Sequence, residues 1–190
     1  MTNERRQSRE VDGKGRTVRE LLSGRKYSID YYQREYKWRT KQVKELIDDL
    51  SGKFLDSYEE GNERSAVAEY GHYFLGSTII SDKDGEKFII DGQQRLTTLT
   101  LLLIFLQHNL GDQDQKAQVT ELIFSQRFGK RSFNLDVPER TACMEALYSG
   151  NPFDENGSES VANILARYSD IKDNFPEELL GKVQIGRAHV

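Results

Sequence analysis

The sequence holds one cysteine, Cys143, in 190 residues. A lone thiol excludes a disulfide framework within the chain and argues against a cysteine-held metal centre. Three histidines, His72, His108 and His189, stand without partners at ligand spacing, so neither a histidine metal site nor a ββα-metal nuclease is expected. The first residues are polar and arginine-rich with no apolar stretch behind them, which gives no secretory signal. The longest apolar run, residues 99–106, is interrupted by Thr100 and is too short to span a bilayer. The expectation is a cytoplasmic protein with no membrane partner. Neither a Gly-x-x-x-x-Gly-Lys-Ser/Thr loop nor a Gly-x-Gly-x-x-Gly fingerprint occurs, so the two common phosphate-binding loops are both missing.

Basic charge is not in excess: the formal net charge is −4. It is unevenly spread, however. Residues 1–26 carry eight Lys or Arg against four acids, and residues 30–44 carry five against two. A phosphate-facing surface is therefore expected from the first quarter of the chain. Apolar residues make up 36% and charged residues 31%, the balance of a globular protein with one sizeable core.

Residues 1–15 show no apolar periodicity and read as a mobile basic arm. Thr17 and Glu20 fit a capping box for a short helix that stops at Gly24. A strand is expected at 26–30 and an aromatic, charged loop at 31–38. From Thr40 onward, Val43, Leu46, Ile47, Leu50 and Phe54 recur at helical spacing. Residues 56–70 read as an acidic surface loop. Residues 73–81 read as a strand, turning at 82–85 into a second strand that ends at Ile90. A helix follows over 92–109, then weaker helices at 114–125 and 158–174. A short strand is expected near Phe133, and Pro138 and Gly150 bracket a further helix.

The chemistry concentrates where the second strand meets its helix. Phe88-Ile89-Ile90 ends at Asp91, followed by Gly92, Gln93, Gln94 and Arg95. Asp91 has the character of an N-cap, and Gln94 completes a capping-box pattern. First-turn amides at the end of a strand carry partial positive charge, Gly92 permits close approach, and Arg95 can fork onto phosphate oxygens. Thr97 and Thr98 add hydroxyls. Spacing alone fits a phosphate site and a purely structural turn equally well. A carboxylate at Asp91 beside a triphosphate is favourable with Mg²⁺ between them, or with a ribose hydroxyl to accept.

Within the aromatic loop, Tyr31, Tyr32, Tyr36 and Trp38 alternate with Gln33, Arg34 and Lys37. Rings beside cations suit base stacking and phosphate pairing. At least one of Tyr32, Tyr36 and Trp38 is expected in the core.

Three segments together resemble the N-terminal domain family of GmrSD-type restriction endonucleases. They are Tyr32-Gln33-Arg34-Glu35-Tyr36-Lys37-Trp38, then Tyr73-Phe74-Leu75-Gly76-Ser77, then Asp91-Gly92-Gln93-Gln94-Arg95. Phe133-Asn134-Leu135 with Glu139-Arg140 is a fainter echo. The resemblance spans roughly residues 16–150. Asp30 departs from the family, which usually has proline there.

The resemblance implies an α+β fold of ParB/sulfiredoxin type, a small mixed sheet flanked by helices and followed by a helical segment. On that basis residues 16–112 form a nucleotide-binding domain and 113–184 a mostly helical extension. Residues 185–190 read as a non-native tail on a truncated chain. The implied activity is binding and hydrolysis of a nucleoside triphosphate with Mg²⁺, as the sensor of a modification-dependent anti-phage restriction system. The alternative is a non-catalytic, nucleotide-switched module of ParB type. Asp91, Gln94 and Arg95 would be catalytic, with Asp91 also on the metal. Gly92, Gln93, Thr97, Thr98, Gln33 and Arg34 would bind nucleotide, and Tyr32, Tyr36 and Lys37 would contact DNA or a base. Partners would be DNA and a nuclease domain outside this chain, and a homodimer is compatible with such a module. Sulfiredoxin chemistry is not expected, because Cys143 is remote from the turn.

Overall fold

The computed structural model describes residues 12–29, 35–127, 129–154 and 157–180. The basic arm up to residue 11, the 185–190 tail and Asp30 to Arg34 lie outside the described residues, so Tyr32, Gln33 and Arg34 have no structural account.

The chain opens with helix α1 (Val18–Leu22), whose capping box forms as the sequence predicts: Glu20 N donates to Thr17 Oγ1 at 3.0 Å and Thr17 N to Glu20 Oε2 at 2.7 Å. Strand β1 (Tyr27–Ile29) follows. Helix α2 (Thr40–Leu55) buries Val43, Leu46 and Ile47 along one stripe, as its periodicity requires. A 3₁₀ segment (Arg64–Glu69) crosses the acidic loop. The hairpin of β2 (Ile79–Lys83) and β3 (Glu86–Asp91) turns at Asp84 and Gly85, with φ of 55° and 80°, the left-handed pair such a turn demands.

Helix α3 (Gln93–Asn109) is buried continuously from Leu96 to Leu106, which makes it the central rod of the domain. Its buried Thr98 and Thr100 hydroxyls return their protons to the carbonyls of Gln94 and Leu96, so they enter the core with their hydrogen bonds satisfied. Helix α4 (Gln113–Ile123), strands β4 (Phe124–Arg127), β5 (Lys130–Phe133) and β6 (Leu135–Asp136), and helices α5 (Pro138–Ser149), α6 (Glu159–Asn174) and α7 (Glu177–Leu180) complete the chain.

The main sheet runs β2-β3-β1-β6, with β2 antiparallel to β3 and both β3 and β6 parallel to β1. Strands β4 and β5 form a separate antiparallel pair. This is an α+β arrangement, a small mixed sheet flanked by helices. One buried cluster runs from Val18 to Ile171, so residues on both sides of position 112 share it. Asn134 ties the two stretches: its Nδ2 donates to Leu22 O at 3.0 Å and Leu122 O at 2.8 Å, and Tyr27 N donates to Asn134 O at 2.7 Å.

Two expectations about elements are corrected. Residues 73–78 are not strand: Gly76 has φ of 95° and the Ser77 carbonyl accepts from the Arg95 side chain, which ends the ladder before β2. The helix expected over 114–125 ends at Ile123, and the short strand expected near Phe133 is one arm of a hairpin, Phe124–Arg127 with Lys130–Phe133.

Candidate functional site

Strand β3 ends on exposed Asp91, paired across the ladder with Ile79. The chain then turns at Gly92, which has φ of 92° and ψ of 0° and is the N-cap of α3. The expected capping box of Asp91 and Gln94 does not form, and among the described residues no side chain caps this helix. The reason is geometric: an N-cap residue needs extended dihedrals one position before the helix, and the left-handed Gly92 occupies that position. Among the described residues the first-turn amides of α3 thus have no side-chain acceptor, at the positive end of a helix sheathed in apolar residues.

Glycine is obligatory in the turn. A Cβ at Gly92 would lie 2.8 Å from Thr78 Oγ1 and 3.3 Å from the Thr78 backbone. Opposite, a Cβ at Gly76 would lie 3.0 Å from Arg95 Nη2 and 3.1 Å from its Cζ. The Arg95 guanidinium therefore lies against a bare stretch of backbone, and its Nη1 donates to Ser77 O at 3.0 Å. Thr78 Oγ1 and Gln93 Oε1 are buried beside this turn without a hydrogen-bond partner, and such atoms are rare in folded proteins. Phe74, Ile79 and Ile90 are exposed in the same stretches of chain.

Gln94 is turned toward the 35–38 segment. Its Nε2 donates to Glu35 O at 2.7 Å and its Oε1 accepts from Lys37 N at 2.8 Å. Both halves of the amide are spent on the 35–38 segment. Tyr36, expected to meet DNA or a base, is instead a core residue, 1% exposed. Its hydroxyl sits 2.7 Å from Thr98 Oγ1. Because Thr98 gives its proton to Gln94 O at 3.0 Å, Tyr36 is the donor. Burial raises the Tyr36 phenol from its ordinary 10.0 to about 12. The expectation that at least one ring of the loop is core is met by Tyr36, while Lys37 stays exposed and pairs with Glu35 at 2.7 Å.

Thr97 and Thr98 are buried as well, 4% and 1% exposed. Thr97 Oγ1 accepts from Arg140 Nη1 at 3.5 Å, so both hydroxyls serve the interior rather than the opening. The turn thus brings together Asp91, Gly92, Gln93 and Arg95. It does not bring Thr97, Thr98 or Tyr36 to the surface.

Sequence reasoning placed Tyr73 at the head of a family-like segment and Asp49 on the solvated face of α2, and helical spacing alone gave no signal for their pairing. The Tyr73 hydroxyl donates to Asp49 Oδ2 at 2.6 Å. This bond, before burial and the Asp49 charge, raises the phenol from 10.0 to about 12, while nearby Arg95 lowers it. The folded state thus favours the protonated phenol. That contribution is whole below pH 10 and disappears as pH climbs from 10 to about 12. Tyr36 titrates in the same window, so a difference is needed to isolate Tyr73. We expect Tyr73→Phe to lose stability less steeply than wild type between these values in urea titrations at stepped pH. Parallel curves would show that the Asp49 bond contributes nothing to stability.

The other polar singletons have structural roles. The His108 Nε2–H donates to Tyr148 O at 2.8 Å, and its Nδ1 lies 3.4 Å from the Tyr168 hydroxyl. Cys143 is buried and its thiol is pushed up to about 11 by that burial, which leaves it unreactive. Among the described residues no three His, Cys, Asp or Glu gather to hold a metal, and no helix is long and apolar enough to cross a membrane.

A parallel strand running through a glycine turn into a buried helix, with an arginine folded back over the turn, defines an α+β domain built around an open helix N-terminus. The family described as GmrSD restriction endonuclease, N-terminal domain, matches residues 18–185, and the chain belongs to it. No curated protein matches the chain at a significant level.

Proposed function

We propose that this domain binds a nucleoside triphosphate at the 91–95 turn and serves as the sensor of a modification-dependent DNA restriction system directed against phage. The observation that carries this reading is the α3 N-terminus, which has no side-chain cap among the described residues, with the Arg95 guanidinium tethered to Ser77 O in the neighbouring segment. Backbone amides and a planar cation converging on one opening suit phosphate oxygens. The exposed side chains of Phe74, Ile79 and Ile90 offer apolar surface to a base. Family membership supplies the restriction context, with DNA and a nuclease domain as partners, and the ParB-like character of the fold belongs to the same reading.

Exposed Asp91 suits Mg²⁺, a cation usually held by one or two carboxylates and the substrate phosphates rather than by a protein cage. Bound there, Mg²⁺ would neutralise phosphate charge. Arg95 would hold phosphate oxygens, and Gln93 would lie at the turn beside them. Gln33, Arg34, Tyr32 and Lys37 remain proposed contacts to nucleotide or DNA from the adjoining loop.

The commitment of both Gln94 amide groups to backbone favours a second reading. With that side chain unavailable to orient water, nucleotide occupancy would act as a switch of ParB type rather than as a step in hydrolysis.

Binding of ATP, GTP, CTP and UTP and phosphate release with Mg²⁺, with and without modified phage DNA, test both readings. Arg95→Ala should weaken binding by about tenfold to a hundredfold, the loss expected for charge-assisted hydrogen bonds. Binding without turnover would select the switch. Failure of every nucleotide to bind would sink both.

A further inference from the structure

Helix α6 presents Ser160, Asn163 and Arg167 along one face, three and then four residues apart. All three reach the backbone of the same short segment. Tyr36 N donates to Ser160 Oγ at 3.1 Å, Asn163 Nδ2 donates to Tyr36 O at 3.0 Å, and Arg167 Nη1 donates to Trp38 O at 3.2 Å. Arg167 is itself fixed by an ion pair with Asp170 one turn on. From the other side, Gln94 takes Glu35 O and Lys37 N. The 35–38 segment is therefore gripped between the first turn of α3 and one face of α6. Of the five hydrogen bonds, Gln94 makes those to residues 35 and 37 and α6 those to residues 36 and 38, and the Tyr36 hydroxyl closes the ring through Thr98 to Gln94 O.

We propose that Ser160, Asn163 and Arg167 are positioning residues for the 91–95 turn, acting through the 35–38 segment, so that occupancy of the turn and the placement of α6 are coupled. The grip exists whether or not nucleotide binds, but the sensing role rests on the nucleotide reading above. No side chain of α6 needs to touch the ligand. A change in the first turn of α3 shifts Gln94, Gln94 shifts the Glu35 and Lys37 peptides, and the Tyr36 and Trp38 peptides pass that shift to α6. Coupling of this kind is reciprocal, so a disturbance on α6 must be felt at the turn.

Two amide protons report on it directly. Lys37 N–H is covered by Gln94 and Tyr36 N–H by Ser160. Amide exchange by NMR should show Asn163→Ala speeding the Lys37 amide by about fivefold, although that amide keeps its own acceptor. Thr17→Ala, which loosens the unrelated α1 cap, should leave it unchanged. An unaltered Lys37 rate in Asn163→Ala overturns the proposal, and if that variant does not fold, Ser160→Ala read at the same amide decides. In the wild type, ATP, GTP, CTP or UTP with Mg²⁺ should slow the Tyr36 amide along with those of residues 93–95. Slowing at 93–95 with Tyr36 unaffected overturns the coupling and leaves nucleotide binding standing. No effect at 93–95 overturns the nucleotide reading, and the variant arm still decides the grip.

Discussion

Tyr36→Ala should destabilise the domain by about 3–5 kcal/mol, the range for deleting a buried aromatic ring. The ring is 1% exposed and its hydroxyl, peptide N–H and carbonyl are all engaged, so truncation leaves a cavity where α3, α6 and the 35–38 segment meet. Tyr36→Phe should cost only about 1 kcal/mol, because Thr98 keeps its bond to Gln94 O. Urea denaturation gives both values as shifts in midpoint with a constant slope. A base-contacting tyrosine on the surface would give the opposite pattern, with little change in stability and a large change in DNA binding. Tyr36→Ala within about 0.5 kcal/mol of wild type would restore that reading.

Gly92→Ala should cost about 2–6 kcal/mol, the sum of two effects. Roughly 1–3 kcal/mol comes from holding a residue with a side chain at φ of 92°, and about 1–3 kcal/mol from forcing a methyl group into Thr78. The two parts separate in a double variant. Thr78→Ala relieves the clash with the hydroxyl at 2.8 Å but not the close approach to the Thr78 backbone at 3.3 Å. It should therefore recover part of the loss and leave the dihedral strain. By itself Thr78→Ala should be close to neutral, because its hydroxyl is buried without a partner. Calorimetric or urea curves for the three variants check this. A stable Gly92→Ala protein would show that the turn can relax around Thr78, and would remove the case that glycine is required there.

Much of the fold is legible in the sequence wherever a pattern is long or a cap is local. Val43, Leu46 and Ile47 trace α2, Thr17 and Glu20 find each other three residues apart, and Pro138 and Gly150 bracket α5. What stays hidden depends on partners far along the chain. Tyr36 could be stacked or buried until Thr98 is placed beside it, and the α6 face has no meaning until it meets residues more than a hundred positions earlier. The 124–133 hairpin is missed because Phe124-Ser125-Gln126-Arg127 continues the polar–apolar texture of α4 and its turn has no Asn-Gly or Asp-Gly signal. Residues 73–78 have strand composition, but Gly76 gives up the ladder to make room for the Arg95 side chain. The candidate turn itself is visible as a motif. Its mechanics are not, since Gly92 rather than Asp91 begins the helix and Gln94 turns inward.

The sheathing of α3 has a consequence for motion. A rod packed on every side from Leu96 to Leu106 cannot tilt or slide without repacking the densest part of the domain. From Leu96 onward it is the fixed side of the turn, and only its first residues, 93–95, lie outside that packing. The facing 35–38 and 73–78 segments each set a single residue fully into the core, Tyr36 and Leu75, so moving them disturbs far less packing. If a nucleotide binds at the turn as proposed, the cheaper adjustment lies in those two strips of backbone and their peptide hydrogen bonds, not in displacement of the helix.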